Sequence, residues 1–308
     1  VPGPCMGRCD VAPTVCVGKN YVDQASVKSV RETIKNNDFD AVIPNYIDLD
    51  QYRKNGGYKI SAQVREGTID NDQIIKTLKE SGLKGKGGAG FPTGMKWEIV
   101  SKYEGKKYVA VNGDEGEPGT FKDRSYLEKD PHRFLEGALI ASLFIKASNV
   151  YIYMRDEYPA VIKILKDEIS KLENEKIIPK GHFVIRRGAG AYICGEESAM
   201  IESIEGKRGL PRHRPPYVAE VGLFNSPTLT NNLETLFWIR DILEKGPNWF
   251  AKKGVSGNKG FHSFSVSGRV KDPGVKVAPA GVTIQELIDD YCGGMKEDHI
   301  FKGYLPGG

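Results

Sequence analysis

Two rhythms of apolar and polar positions divide this chain. Helical spacing appears first at Val27, Val30 and Ile34, within a polar stretch that predicts a linker helix in residues 21–44. It returns at Ile74, Ile75 and Leu78, where Gly82 supplies a stop for a helix over 72–83. Residues 132–147 are mostly apolar, which predicts a buried helix, and 158–172 carry lysines and glutamates on the outer face of another. A short helix is expected around Ala199, Met200 and Ile204, closed by Gly206, and one more over 232–243. Short β-branched and aromatic runs at 107–112, 149–154 and 183–187 predict buried strands. Strand and helix alternate, so the expected core is an α/β fold, a parallel sheet with helices on both faces. From Gly260 the rhythm changes. Phe264 and Val266 alternate with Ser263, Ser265 and Ser267, which predicts a half-buried antiparallel strand over 262–270. Thr283 stands at the N-cap of a short helix over 283–291. No internal repeat is present.

The 308 residues (34.0 kDa) suffice for two domains with separate cores. A net charge of +4 is too mild to indicate nucleic-acid binding. No uninterrupted apolar stretch approaches the ~18 residues of a membrane span. Secretory and transit signals are absent and the first residue is Val1, so the expectation is a cytoplasmic module cut from something longer. Glycine is 36 of 308 residues, about 12% against a usual ~7%. The excess is gathered in three loops, so it reflects close approach of a ligand rather than low complexity.

The first loop, 85–97, reads Gly-Lys-Gly-Gly-Ala-Gly-Phe-Pro-Thr-Gly-Met-Lys-Trp. Bare amides, Lys86, Lys96 and the rings of Phe91 and Trp97 suit a ligand both phosphorylated and planar, a nucleotide or a flavin. A flexible linker is the other reading, opposed by Pro92 and the aromatics. The second loop follows the strand 107–112 and holds Asp114, Glu115 and Glu117 among glycines, where open α/β sheets bind ligands. Its plain alternative is a solvated acidic turn. The third follows the strand 183–187 as Gly188-Ala189-Gly190-Ala191-Tyr192-Ile193-Cys194-Gly195-Glu196-Glu197 and leads into a helix. That layout suits an anion or nucleotide, or is a simple strand-to-helix turn; its glycines lack the usual dinucleotide spacing.

Together with Thr230-Asn231-Asn232-Leu233-Glu234-Thr235, these segments resemble the family of NADH-oxidising flavoprotein subunits across roughly residues 45–308. That family includes the 51 kDa subunit of respiratory complex I, diaphorase subunits of NAD-reducing hydrogenases and β subunits of NAD-dependent formate dehydrogenases. The resemblance implies hydride transfer between NADH and FMN, then one-electron transfer to iron–sulfur clusters of a larger complex; no catalytic acid, base or nucleophile is implied, because the cofactors carry the reactive atoms. It places Gly85, Lys86, Gly87, Gly88 and Lys96 around the FMN phosphate and ring. Asn112, Asp114 and Glu115 go to the ribityl chain and the polar ring edges. Tyr192, Gly195, Glu196 and Glu197 line the shared cavity, and Asn231 and Asn232 close the flavin end. For NAD(H) it implies Phe91 stacking, Glu117 contacting the nucleotide and Tyr217 clamping the adenine. Glu197 is a candidate for accepting ribose hydroxyls and repelling the extra phosphate of NADPH. Lys207 and Arg214, in a basic run at 207–217 otherwise readable as a solvated loop, are candidates to neutralise the NADH pyrophosphate.

Three positions depart from the family's habit. Lys86 replaces a usual arginine and offers no bidentate fork. Tyr217 stands where phenylalanine is frequent, and Ile99 where some relatives place an aromatic. Cys5-Met6-Gly7-Arg8-Cys9 is similar to the second half of a thioredoxin-like [2Fe–2S] domain, so Cys5 and Cys9 supply half of a cluster site or are ordinary thiols. Cys16, Cys194 and Cys292 are too scattered for a metal motif, and the five histidines need no special role. The expected organisation is a thioredoxin-like remnant (1–20), a linker helix (21–44), an FMN/NADH-binding domain (45–250) and an incomplete β-grasp domain (251–308). The family's [4Fe–4S] ligands lie beyond this stretch. Expected partners are NADH/NAD+ and iron–sulfur subunits of a multi-subunit oxidoreductase, a 24 kDa-type thioredoxin-like subunit and a large catalytic subunit among them. The fused N-terminal remnant favours the β subunits of formate dehydrogenase and NAD-reducing hydrogenase over the complex I subunit; formate dehydrogenase is the expected parent, with complex I and hydrogenase as alternatives. A scaffold that has lost its flavin is the non-enzymatic alternative.

Overall fold

An N-terminal hairpin, Val15–Val17 (β1) with Asn20–Val22 (β2), leads into helix Val27–Lys35 (α1), capped by Ser26 and Ser29. These belong to the computed structural model, which describes residues 1–306. Four helices follow: Leu49–Lys54 (α2), Lys59–Glu66 (α3), Asn71–Ser81 (α4) and Thr93–Ser101 (α5). The spacing at Ile74, Ile75 and Leu78 marks α4, which begins on the Asp70 cap and ends at Gly82 in the left-handed region. Helix α5 has no sequence signature of that kind. It buries Trp97 and Val100 on one side while Met95 and Ile99 remain exposed on another, so no single apolar stripe forms.

The central sheet is built next. Tyr108–Gly113 (β3) is followed by Lys122–Lys129 (α6), Pro131–Ile145 (α7), Asn149–Met154 (β4), Pro159–Asn174 (α8), Phe183–Arg187 (β5) and Glu197–Ile204 (α9). Thr228–Asn232 (β6) then returns to the sheet. The strand order is β5-β4-β3-β6, every pairing parallel. Val109 and Val111 of β3 pack into the main core with α7, while Tyr108 and Ala110 point to a second core under α9, so the sheet is covered on both faces. Helix α7 is buried almost throughout, and Gly137 sits where a Cβ would overlap the Leu236 carbonyl.

The region 232–243 departs from the expected single helix. Asn232 ends β6 and caps Leu233–Phe237 (α10) by accepting from the Glu234 amide at 3.0 Å. Ile239–Lys245 (α11) starts afresh after Trp238, followed by Pro247–Ala251 (α12). The last elements are an antiparallel hairpin, Phe261–Val266 (β7) with Gly274–Pro279 (β8), and a helical turn Ile284–Glu286 that runs on through Leu287–Tyr291. The strand expected over 262–270 stops at Val266. The Thr283 cap stands as expected, within a capping box with Glu286.

Candidate functional site

Strands β3, β4 and β5 step outward in one direction, and β6 then lies on the opposite side of β3. The order therefore reverses between β3 and β6, and a crevice opens beyond their C-terminal ends. Asn112 of β3 pairs in register with Asn232 of β6 at that point, and the Asn232 Nδ2 donates to the Asn112 carbonyl at 3.3 Å. Around this crevice lies a cavity of about 2170 Å³. Its walls are the glycine loop, the acidic loop after β3, residues 192–196, Asn232, the β7–β8 hairpin and residues 299–306.

The glycine loop is docked rather than loose. The Lys86 amide donates to the Thr235 Oγ1 at 2.9 Å, and the Gly85 amide to the Phe91 carbonyl at 2.8 Å. Gly88 and Gly90 have φ of +115° and +65°, and a Cβ at either would meet no protein atom within 4 Å. These amides and the space above them are open to a ligand. The Lys86 ammonium is turned the other way, donating to the Phe261 carbonyl of β7 at 2.6 Å. Burial lowers its pKa, with Glu234 opposing.

Among the carboxylates after β3, Asp114 is 3% exposed, and no side chain among the described residues donates to it. Gly116, Gly188 and Gly195 surround it with bare backbone; a Cβ at any of them would come within 2.9–3.5 Å of its oxygens. Burial pushes its pKa up to about 6, opposed by the charge of Arg155. Glu115 is spent differently: its side chain accepts from the Asp123 and Arg124 amides at 2.7 and 3.2 Å, capping α6, and from the Tyr158 hydroxyl at 3.0 Å. Burial and then Asp123 push its pKa up to about 7. Glu117 lines the cavity beside the Tyr192 hydroxyl, whose pKa it raises.

A buried ion cluster closes one side. Lys122 Nζ lies 2.8 Å from Asp123 Oδ1 and 3.0 Å from Glu234 Oε2. Burial alone would lower its pKa, but the two carboxylates raise it, so the ammonium is held charged. Glu234 also accepts from the Ser263 hydroxyl at 2.7 Å, which ties the cluster to β7. The sequence by itself assigns no role to Lys122, Asp123 or Glu234. The signal available was three successive charges, Lys122-Asp123-Arg124, next to a glycine turn, where burial demands partners.

The structure brings Gly85, Lys86, Gly87, Gly88, Asn112, Glu115, Glu117, Tyr192, Gly195, Glu196 and Asn232 together on the cavity wall. Asn231 lies behind it, accepting from the Trp97 indole at 3.0 Å. Lys96 donates to the Thr230 carbonyl at 3.1 Å and lies 3.4 Å from Glu197. Glu196 caps α9 through the Ser198 and Ala199 amides, both at 2.9 Å. Arg214 forms an ion pair with Glu196 and reaches Glu197 at 3.4 Å. Phe91 and Tyr217 are exposed, as is Ile99 on α5. Cys5 and Cys9 are half-buried beside the acidic loop, and no group of three or more candidate metal ligands occurs among the described residues.

Comparison with known proteins follows the same outline. An NADH-quinone oxidoreductase subunit of Rhizobium meliloti is 43% identical over 269 residues, spanning 84% of this chain and 64% of that protein. An NADH-quinone oxidoreductase subunit of Aquifex aeolicus is 43% identical over 274 residues, 85% of this chain and 64% of its own length. The chain thus spans less than two thirds of these curated relatives. In the crystal structure of an air-oxidised NAD+-reducing [NiFe]-hydrogenase, one chain superposes with a TM-score of 0.80 at 32% identity, covering 95% of this chain and 53% of that one. The model of the Nuo51 FMN-binding domain matches residues 78–241, more than half of the sequence and all four strands of the central sheet. The chain belongs to the Nuo51 FMN-binding domain family.

Proposed function

We propose that this chain binds FMN and NADH in the one cavity and forms the nicotinamide-oxidising end of a larger oxidoreductase. The observation that carries the reading is the pairing of an open glycine-loop cradle with Asp114, a desolvated carboxylate that lacks a protein donor and is ringed by bare backbone. An unpartnered buried carboxylate calls for hydroxyl donors, and free loop amides call for an anion. A ribityl phosphate offers both. The cavity volume exceeds the ~300–1,000 Å³ of a single small-ligand site, which leaves space for two cofactors. Bound FMN would supply the chemistry that takes two electrons from NADH and gives them up singly to iron–sulfur partners.

The chain's own task is binding and alignment. Amides of Gly87 and Gly88 face the phosphate, Gly85 holds the loop's shape through its bond to the Phe91 carbonyl, and Lys86 fastens that loop to β7 rather than gripping the ligand directly. Lys96, Asn231 and Asn232 shape the flavin end through the β6 backbone and Trp97. Asn112, Asp114 and Glu115 serve the ribityl and ring edges, Glu115 chiefly by fixing the loop. Tyr192, Gly195, Glu196 and Glu197 face the shared space. Phe91 and Tyr217 supply exposed rings for the nucleotide, Glu117 a polar contact and Arg214 a charge for its phosphates. The proposed division of the chain is a flavin and nucleotide domain over 45–250, a β-grasp-like part over 251–308 and an N-terminal segment 1–20 joined through 21–44.

The complex served differs among relatives. The named ones include NADH-quinone oxidoreductases and an NAD+-reducing [NiFe]-hydrogenase. Co-purification of the large subunit identifies the parent. The binding claim itself is tested by titrating the purified chain with FMN. Saturation at one FMN per chain is expected, weakened about tenfold by Gly87→Ala, whose Cβ would press to 3.2 Å from that of Asn232. Absence of saturable binding defeats the reading.

A further inference from the structure

Arg155, just past the end of β4, is 6% exposed and has a place in none of the roles above. Its Nη1 donates to the Glu115 carbonyl at 3.0 Å, and its Nη2 donates to the Cys5 carbonyl. The guanidinium lies over the Tyr158 ring, 5.2 Å from the centroid, and the Tyr158 hydroxyl donates to Glu115 Oε2 at 3.0 Å. On the other side of that hydroxyl stands Gly7, where a Cβ would overlap it. Arg124 completes the set: its Nε donates to the Gly7 carbonyl at 3.0 Å, its Nη2 to Asp10 at 3.0 Å, and its backbone amide to Glu115 Oε2 at 3.2 Å.

Two side chains, Arg155 and Tyr158, therefore touch both the loop of residues 5–10 and Glu115, and Arg124 joins the two by its side chain and its backbone amide. Glu115 itself has φ of +38°, a left-handed conformation that a non-glycine residue keeps only when its surroundings fix it. It also lines the cavity. We propose that Arg155 is a positioning residue that couples the loop carrying Cys5 and Cys9 to the acidic wall of the cavity, so that neither shifts without the other. The flavin arm of this inference rests on the binding reading above; the cysteine arm stands without it.

Such coupling is reciprocal in free energy. Gly7→Ala pushes on Tyr158 from the far side of the loop and touches no cavity residue, yet it is expected to weaken FMN binding roughly tenfold. By the same linkage FMN slows alkylation of Cys5 and Cys9, read by peptide mass spectrometry apart from the exposed Cys16. Arg155→Lys offers one ammonium where two carbonyls need a fork, so the variant keeps its fold and still binds FMN, but the protection of Cys5 and Cys9 disappears. Glu115→Ala perturbs from the cavity side and speeds alkylation roughly tenfold with no flavin present. Wild-type protein that fails to bind FMN sinks the functional reading, and the Glu115→Ala arm then decides the coupling alone. Less than a twofold change in Gly7→Ala affinity, FMN protection that persists in Arg155→Lys, or unchanged alkylation in Glu115→Ala would each overturn the assignment of Arg155.

Discussion

Lowering the pH from 7 to 5 is expected to weaken flavin binding about tenfold, through Asp114. Its carboxyl is buried, meets no protein donor and has its pKa pushed from 3.8 up to about 6. A ribityl hydroxyl donates to the ionised form far better than to the acid. Roughly nine-tenths of the chains carry that form at pH 7 and roughly one-tenth at pH 5, so the apparent affinity falls by that ratio, about 1.4 kcal/mol. Riboflavin is the ligand to titrate, because the second proton of FMN's own phosphate, near pH 6, would overlay the same slope. Fluorescence quenching read from pH 5 to 7.5 gives the curve. Asp114→Asn should abolish the component centred near 6, while any remainder centred near 7 belongs to Glu115. A flat wild-type curve, or an Asn variant that keeps the midpoint near 6, refutes the argument.

Raised carboxyl pKa values also act on stability. Asp114 and Glu115 bind protons in the folded chain that the unfolded chain has released, so their contribution to flavin-free stability falls as pH rises from about 4 to 7; thermal melts across that window check the sign. Glu136, fully buried, accepts from the Tyr52 hydroxyl at 2.6 Å and from the Tyr58 and Ser61 amides at 2.9 and 3.1 Å. Glu136→Ala strands those donors and should cost about 3 kcal/mol in denaturant unfolding. Arg214→Ala leaves Glu196 without its cation and Glu197 with Lys96 alone, so the KM for NADH is expected to rise about tenfold while kcat changes little; an unchanged KM counts against that role. Glu197→Gln should narrow the NADH preference over NADPH, and equal ratios of kcat/KM before and after would dismiss Glu197 as the discriminator.

Periodicity located the parallel core because its elements follow simple rules. β4 and β5 coincide with their β-branched and aromatic runs, and α7 with its apolar run. Elements whose burial is two-sided or short stayed hidden. β6 is only Thr-Leu-Thr-Asn-Asn and looks like the start of the helix that Asn232 caps. β8, with Gly274 and Pro279 at its ends, has no clean alternation. At the site, the glycines and carboxylates were legible in the sequence as clusters in three loops, and the structure brings those loops to one cavity. Their division of labour was not legible. Whether a carboxylate is left without a donor or caps a helix depends on where distant amides fall, which separates Asp114 from Glu115 though they are neighbours. Lys86 shows the same limit, since its partner is the carbonyl of Phe261. Lys122 and Arg155 became visible only once burial showed charges that need partners.

Anaerobic addition of NADH to the FMN-loaded chain tests the central claim most directly. The account predicts that the visible flavin absorption bleaches on mixing, at one NADH per bound FMN, and returns when an electron acceptor is added. Flavin that stays bound and yellow under excess NADH would contradict it.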